Sequence, residues 1–305
     1  RDQILALDGR ERIPYVKALR VFPTWWEPTL AAMQECHEEN DGESEPQCMI
    51  VTGPTGAGKS TLVKSYRDKY PPKDVEVEDE IWAIQRAVYV STPSPARIMD
   101  LAARVLEALG DPTPWKGTLG EKRAQIKALF KKCRVEILIV DELQHFINKD
   151  GKRKVLLTVS DWFKDLIKDT GVACVFVGLP EAEDVLLANP QLARLFGDPY
   201  AITPFKWDIK EPETIQEFRT LLQDIEALLP LTEPSNLSVP DTAHLCYQAC
   251  GGVLGLLMKL IRSAAIQALK TDKEHLDYAL LAWAYNKKLA GERRGVKNPF
   301  ASVAR

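Results

Sequence analysis

The stretch GPTGAGKST, residues 53–61, follows the apolar run CMIV and leads into KSTLVKSYRDKY. Gly53, Gly58, Lys59 and Ser60 in it fit the spacing G-x4-G-K-[ST]. Glycines at these places let the backbone turn so that successive N–H groups converge on phosphate oxygens. A lysine there supplies a point charge to the β and γ phosphates, and a serine offers a hydroxyl to Mg2+. A helix starting at this point adds the partial positive charge of its N-terminus. The pattern therefore predicts that Gly53, Pro54, Thr55, Gly56, Ala57, Gly58, Lys59, Ser60 and Thr61 cradle ATP, with Ser60 as a ligand of Mg2+.

A second acidic motif completes that chemistry. In VEILIVDE the unbroken apolar run reads as a strand buried on both faces. Asp141 at its end is placed to reach the metal through water, and Glu142 to polarise a water for attack on the γ phosphate. This second acid favours hydrolysis over transfer to a small molecule, and no motif for a second substrate is visible.

Other parts of such a site depart from expectation. An ATPase of this build carries a polar residue after its fourth strand to orient the attacking water, whereas VFVGLPEAE puts Gly178, Leu179 and Pro180 there. NPQLARLFGDP supplies Arg194 on a short helical turn, suited to reach a neighbouring subunit's γ phosphate. In GGVLGLLMKLIRSA the place of a lid arginine is taken by Leu256, with Lys259 and Arg262 the nearest basic residues. Slow hydrolysis is the expectation.

The elements that must position these groups are legible in the patterning. CMIVTG, RAVYVS, VEILIVDE and VACVFVG read as strands, with ITPFKW as a fifth. KSTLVKSYRDKY, PARIMDLAARVLEALG, LGEKRAQIKALFKKC and VLLTVSDWFKDLIKDTG read as intervening helices. Alternation of this kind implies a parallel sheet sandwiched by helices. Past Trp207 every segment has helical periodicity, broken by Pro or Gly. The expected division is an N-terminal helical segment over 1–45 packing on the core, the P-loop domain over 46–208, a smaller all-helical domain over 209–290 and a flexible tail over 291–305. Trp25 and Trp26, beside a helix starting near Pro28, suit core packing.

The bulk numbers exclude some classes. The 305 residues suit one large or two modest domains, and 45% hydrophobic with 27% charged residues is a globular composition. Forty basic against 43 acidic residues leave a net charge of −3, which announces no polyanion partner. No run approaches the roughly 18 apolar residues of a membrane span, so no membrane partner is expected. The chain opens on RDQIL, with neither a charged-then-apolar leader nor an initiating Met, as a trimmed chain would. Six cysteines lack the close pairing of a metal site and read as thiols of a reducing compartment.

With both phosphate motifs placed, the chain resembles AAA+ ATPases that regulate DNA transposition, the TniB/TnsC/MuB group. The likeness rests on GPTGAGKST, VEILIVDELQHF, GVACVFVGLPEAEDVLLANPQLARLFG, the GGVLGLLMKLIRSAAIQAL segment and the terminal NPF. It implies a RecA-like sheet of strand order 5-1-4-3-2 followed by a helical lid. It also implies a homo-oligomer, ring or helical filament, that assembles with ATP on double-stranded DNA. Such an assembly recruits and activates a transposase, meets a target-selector protein and comes apart on hydrolysis. By the same resemblance Lys59, Ser60, Asp141 and Glu142 carry the nucleotide chemistry, Arg194 acts in trans, and the setting is the bacterial cytoplasm, at the nucleoid when DNA-bound. The alternative is an AAA+ loader or remodeller acting mainly on protein partners.

Two basic loops are the candidates for the DNA surface. WKGTLGEKR holds Lys116, Thr118 and Lys122 at a loop–helix junction, and NKDGKRK holds Lys152 and Arg153 beyond the acidic strand. Lysine, arginine and a Thr hydroxyl beside helix-start N–H groups suit sequence-independent phosphate contacts. Each loop equally suits an ordinary solvated helix start.

Overall fold

A computed structural model describes residues 2–38, 45–77, 80–147 and 153–303. In chain order the helices are α1 (Asp2–Leu5), α2 (Ile13–Ala18), α3 (Glu27–Glu38), α4 (Lys59–Arg67), α5 (Ile98–Ala108), α6 (Leu119–Lys132) and α7 (Arg153–Thr170). They continue with α8 (Asp184–Leu187), α9 (Pro190–Ala193), α10 (Pro212–Leu228), α11 (Pro240–Cys250), α12 (Leu254–Lys270) and α13 (Tyr278–Lys288). The strands are β1 (Met49–Thr52), β2 (Lys73–Val77), β3 (Glu80–Ile84), β4 (Ala87–Ser91), β5 (Ile137–Asp141), β6 (Ala173–Gly178) and β7 (Tyr200–Ala201).

The chain forms two compact units, Thr24–Ile202 and Arg1–Pro23 with Thr203–Arg305. In the first, five parallel strands run in the order β4-β5-β6-β1-β7. Counted along the chain as five core strands, this is the order 5-1-4-3-2 that the resemblance implies. Period-2 geometry sends alternate residues to opposite faces. Ile50, Val88, Val90, Leu138, Val140 and Phe176 face one side and pack with Leu101, Val105, Phe130 and Phe163 of α5, α6 and α7. The other face meets α3 and α4. Both faces are covered, so the strands carry unbroken apolar runs rather than alternation.

Three local expectations change. The fifth strand is Tyr200–Ala201, not ITPFKW: only Val51 and Thr52 offer it partners, the Ile202 N–H adds one bond to the Thr52 carbonyl at 2.7 Å, and Pro204 has no N–H to extend the ladder. β2 and β3 form a separate antiparallel hairpin, outside the five expected strands. The segment 1–45 is divided, with Arg1–Pro23 belonging to the helical unit. Arg12 explains that allegiance: it forks onto Glu274 at 2.7 and 2.8 Å and donates to the Pro230 carbonyl at 3.1 Å, while Val16 of α2 is fully buried.

In the helical unit, α10 to α13 bury Phe218, Leu222, Ile261 and Ala265. Its C-terminal end is not the loose tail expected over 291–305. Phe300 is 0% exposed, Asn298 donates to the Ala282 carbonyl at 2.9 Å, and Tyr285 donates to the Val296 carbonyl at 2.9 Å. An aromatic anchor and two side-chain bonds hold the 296–300 segment on α13. Among the described residues no single helix is long and apolar enough to cross a membrane.

Candidate nucleotide site

β1 ends at Thr52 and the chain turns back at once into α4. The turn uses backbone that only glycine takes readily: φ is 155° at Gly53, 80° at Gly56 and 100° at Gly58. At Gly53 space adds a second demand, since a Cβ would stand 2.2 Å from the Ile202 carbonyl oxygen. α4 opens at Lys59, Gly58 provides no side-chain cap, and the first-turn N–H groups face the cradle as a set of anion donors. The Lys59 ammonium is folded into the same turn, donating to the Gly53 carbonyl at 2.7 Å and the Pro54 carbonyl at 2.9 Å. Lys59 is 8% exposed, and burial lowers its pKa against the opposing pull of Glu142 and Asp141. A cation and helix-start N–H groups at an uncapped glycine turn fit a polyphosphate.

The acidic pair arrives on β5 of the same sheet, with β6 between it and β1. Asp141 ends β5 fully buried, its Oδ2 accepting from the Tyr89 hydroxyl at 2.8 Å and its Oδ1 from the Glu142 N–H at 2.8 Å. Tyr89 lies on the neighbouring strand β4, and burial first, then Asp141, pushes its phenol pKa up, so it stays a donor. Ser60 stands half-buried at the head of α4. Ser60 and Asp141 are the oxygen donors that fit Mg2+, a hard cation that keeps most of its water. Glu142 has φ 58° and ψ 36°, left-handed for a residue with a Cβ, and turns the chain out of the sheet into the short turn Leu143–Phe146. Its carboxylate accepts from Gln144 Nε2, and His145 Nε2 lies 3.8 Å away. Tyr89 and Gln144 escaped the sequence reading. Tyr89 could have been found by placing RAVYVS beside VEILIVDE; no sequence signal marks Gln144.

The remaining predicted residues lie elsewhere. Arg194 follows α9 with its side chain 74% exposed, and its ion pair with Glu45 is long at 3.9 Å. Its segment joins the sheet at the start of β1, where the Cys48 N–H donates to the Leu195 carbonyl at 2.8 Å. Gly53 lies past the other end of β1, roughly 16 Å away at the rise of a strand. Lys259 pairs with Glu292, and Arg262 donates to the Leu19 carbonyl, so both basic residues of the lid segment have partners inside the helical unit.

Of the basic loops, Lys116 is exposed. Thr118 is exposed too, but its hydroxyl is engaged in a reciprocal capping box with Glu121 that starts α6. Lys122 is a correction: it is 1% exposed, and its ammonium donates to the Pro114 carbonyl at 2.5 Å and the Lys116 carbonyl at 2.6 Å. It holds the 114–116 loop from inside and offers no charge to a surface ligand. Lys152 lies outside the described residues, and Arg153 opens α7.

A family model described as Bacterial TniB protein matches residues 12–206. A sequence search of curated proteins finds no match. Among solved structures the chain is similar to the Aeropyrum pernix ORC1 protein in complex with DNA, at 17% identity over 93% of this chain and 68% of that one, TM-score 0.62. It is similar to Cdc6p from Pyrobaculum aerophilum at 18% identity, 95% and 71% coverage and TM-score 0.63. It is also similar to the Aeropyrum pernix ORC2 protein with ADPNP and ADP, at 14% identity, 88% and 69% coverage and TM-score 0.60. At these identities the likeness establishes the fold, a P-loop sheet with a C-terminal helical region. The family match spans both phosphate motifs and the Arg194 segment, and with the strand order it identifies the chain as a member of the TniB family of AAA+ ATPases.

Proposed function

We propose that this chain is an ATP-dependent, DNA-binding regulator of transposition, working in the bacterial cytoplasm and at the nucleoid. It assembles on double-stranded target DNA as a ring or helical filament, partners a target-selector protein, recruits and activates a transposase, and disassembles on hydrolysis. The observation that carries the assembly step is Arg194: it stands exposed at the far end of β1 from its own cradle, farther than an arginine side chain extends. It therefore serves a neighbouring copy's nucleotide or none. Leu187, 75% exposed in the same connection, gives that contact an apolar component.

Lys59 and the α4 N-terminus hold the phosphates, and Ser60 and Asp141 would hold Mg2+, which neutralises phosphate charge when bound. Tyr89, donating to Asp141 Oδ2, keeps that carboxylate aimed. Glu142 takes a proton from the attacking water as the water oxygen bonds to the γ phosphorus and the bond to ADP breaks. Lys116, with Lys152 and Arg153, is assigned to the DNA backbone; Thr118 shapes that loop through its capping box. DNA is bound by the Aeropyrum pernix ORC1 protein and by a Drosophila ORC of the same fold.

The test is negative-stain imaging of the protein on duplex DNA with and without a non-hydrolysable ATP analogue. Nucleotide-dependent rings or filaments along the duplex are expected. Monodisperse particles indifferent to DNA would overturn the proposal and favour the loader acting on protein partners.

A further inference from the structure

Hydrolytic sites of this build orient water with a polar side chain at the end of the fourth core strand, and here that strand ends in Gly178 with Leu179 next. There is no room for such a side chain. A Cβ at Gly178 would lie 2.7 Å from Gln144 Oε1 and 2.7 Å from the Cβ of Ala182. The space is filled from the side, by the carboxamide of Gln144. Its Oε1 accepts from the Leu179 N–H at 3.1 Å. A backbone N–H can only donate, so the oxygen of the amide must face β6 and the NH2 group must face the other way. It faces Glu142, whose Oε2 accepts from Gln144 Nε2.

The backbone prepares this bridge. The left-handed turn at Glu142, whose N–H is tied back to Asp141 Oδ1 at 2.8 Å, swings the chain beneath the end of β6. The short helical turn Leu143–Phe146 then brings Gln144 level with Leu179 and Glu142 at once.

We propose that Gln144 is the positioning residue for ATP hydrolysis, standing in for the absent polar residue at the end of β6. One end of its amide is pinned to the rigid strand, and the other holds the Glu142 carboxylate in a single orientation. Gly178 is glycine because the amide occupies the place of its side chain. The proposal rests on Glu142 being the group that polarises water.

Gln144→Glu separates positioning from bracing. The variant keeps an oxygen for the Leu179 N–H but replaces the donor toward Glu142 with a repelling carboxylate. Gln144→Met, similar in length and uncharged, repeats the test without adding charge. Steady-state hydrolysis on DNA, nucleotide affinity by a fluorescent ATP analogue and thermal melting are measured for both, with Glu142→Gln as the reference. A misplaced reacting group costs about 100-fold, so kcat is expected to fall about 10–100-fold in both variants. ATP affinity should stay within about twofold. Melting should show both variants still folded. Wild-type kcat in either variant would overturn the assignment and leave Gln144 a brace for Leu179. Retained turnover in Glu142→Gln would instead overturn the reading of Glu142 beneath it, and the assignment with it.

Discussion

Lys122 shows what a single residue's surroundings decide. By type and place it belongs to a basic loop that suits a phosphate backbone, yet its ammonium is consumed by two carbonyls of the loop it appeared to decorate. The sequence held the contrary signal: Lys122, Ile126 and Phe130 fall at i, i+4 and i+8, on the buried stripe of α6. Replacing it by methionine keeps the stem and removes two charge-assisted bonds, at a cost of about 2–3 kcal/mol. For a unit of this size that lowers the melting temperature by roughly 4–12 °C. Lys116→Ala should leave melting unchanged and flatten the salt dependence of DNA affinity, because a phosphate contact releases about one counterion. Melting curves and salt titrations of the two variants check this contrast. A Lys122→Met protein that melts like wild type but releases DNA would restore Lys122 to the surface set.

At the scale of elements, α3 is fastened to the core by a histidine. His37 is buried, its Nδ1 2.9 Å from the Tyr66 hydroxyl on α4 and its Nε2 2.7 Å from Glu136, just ahead of β5. A carboxylate only accepts, so Nε2 carries the proton and Nδ1 takes the hydroxyl of Tyr66. Burial lowers the His37 pKa below 6.5, outweighing Glu136, while Arg86 on the far side of Glu136 and the ring of Tyr70 complete its surroundings. Burial pushes Glu136 up, but Arg86 and His37 together hold it below its ordinary value. Both shifts have one sign: the unfolded chain binds more protons, so stability present at neutral pH is lost as pH falls, beginning near 6.5 with His37 and continuing below 4.5 with Glu136. Melting temperature should therefore decline from pH 7 to 5, and His37→Gln should melt lower at pH 7 with a shallower decline; an equal slope in the variant would remove His37 as the cause. The helices and central strands around this clamp were legible because unbroken apolar runs and period-3.6 stripes survive translation into burial. The hairpin Lys73–Ile84 was not, because KDVEVEDE offers only two valines among charges and reads as polar loop. Nor was the fastening of the C-terminal segment, which depends on Phe300 and Asn298 meeting α13, a tertiary match that no local periodicity encodes.

For the whole molecule, the decisive feature is that Arg194 and the nucleotide cradle stand at opposite ends of the sheet. Lys59 and Glu142 lie at the C-terminal ends of β1 and β5, whereas Arg194 lies beside the N-terminal end of β1. A contact that joins one patch of a protomer to a different patch of the next is heterologous, and repeats into a ring or a filament. The motifs were readable from spacing alone, but their division between opposite ends of the sheet is a property of the folded chain. It makes complementation possible. Arg194→Ala keeps an intact cradle and lacks the arginine; Lys59→Ala lacks the cradle's cation and keeps the arginine. Each alone should hydrolyse ATP at least about 1,000-fold more slowly than wild type if the arginine acts with full effect. In an equimolar mixture, an intact cradle faces an intact arginine at about a quarter of the interfaces if the two variants assemble at random. DNA-stimulated hydrolysis of the mixture should then rise to about that fraction of wild type, far above the sum of its parts. The rise should vanish when the two proteins are diluted below the concentration at which filaments form. A mixture that hydrolyses no faster than its components would place Arg194 outside the site, and the case for assembly would then rest on imaging alone.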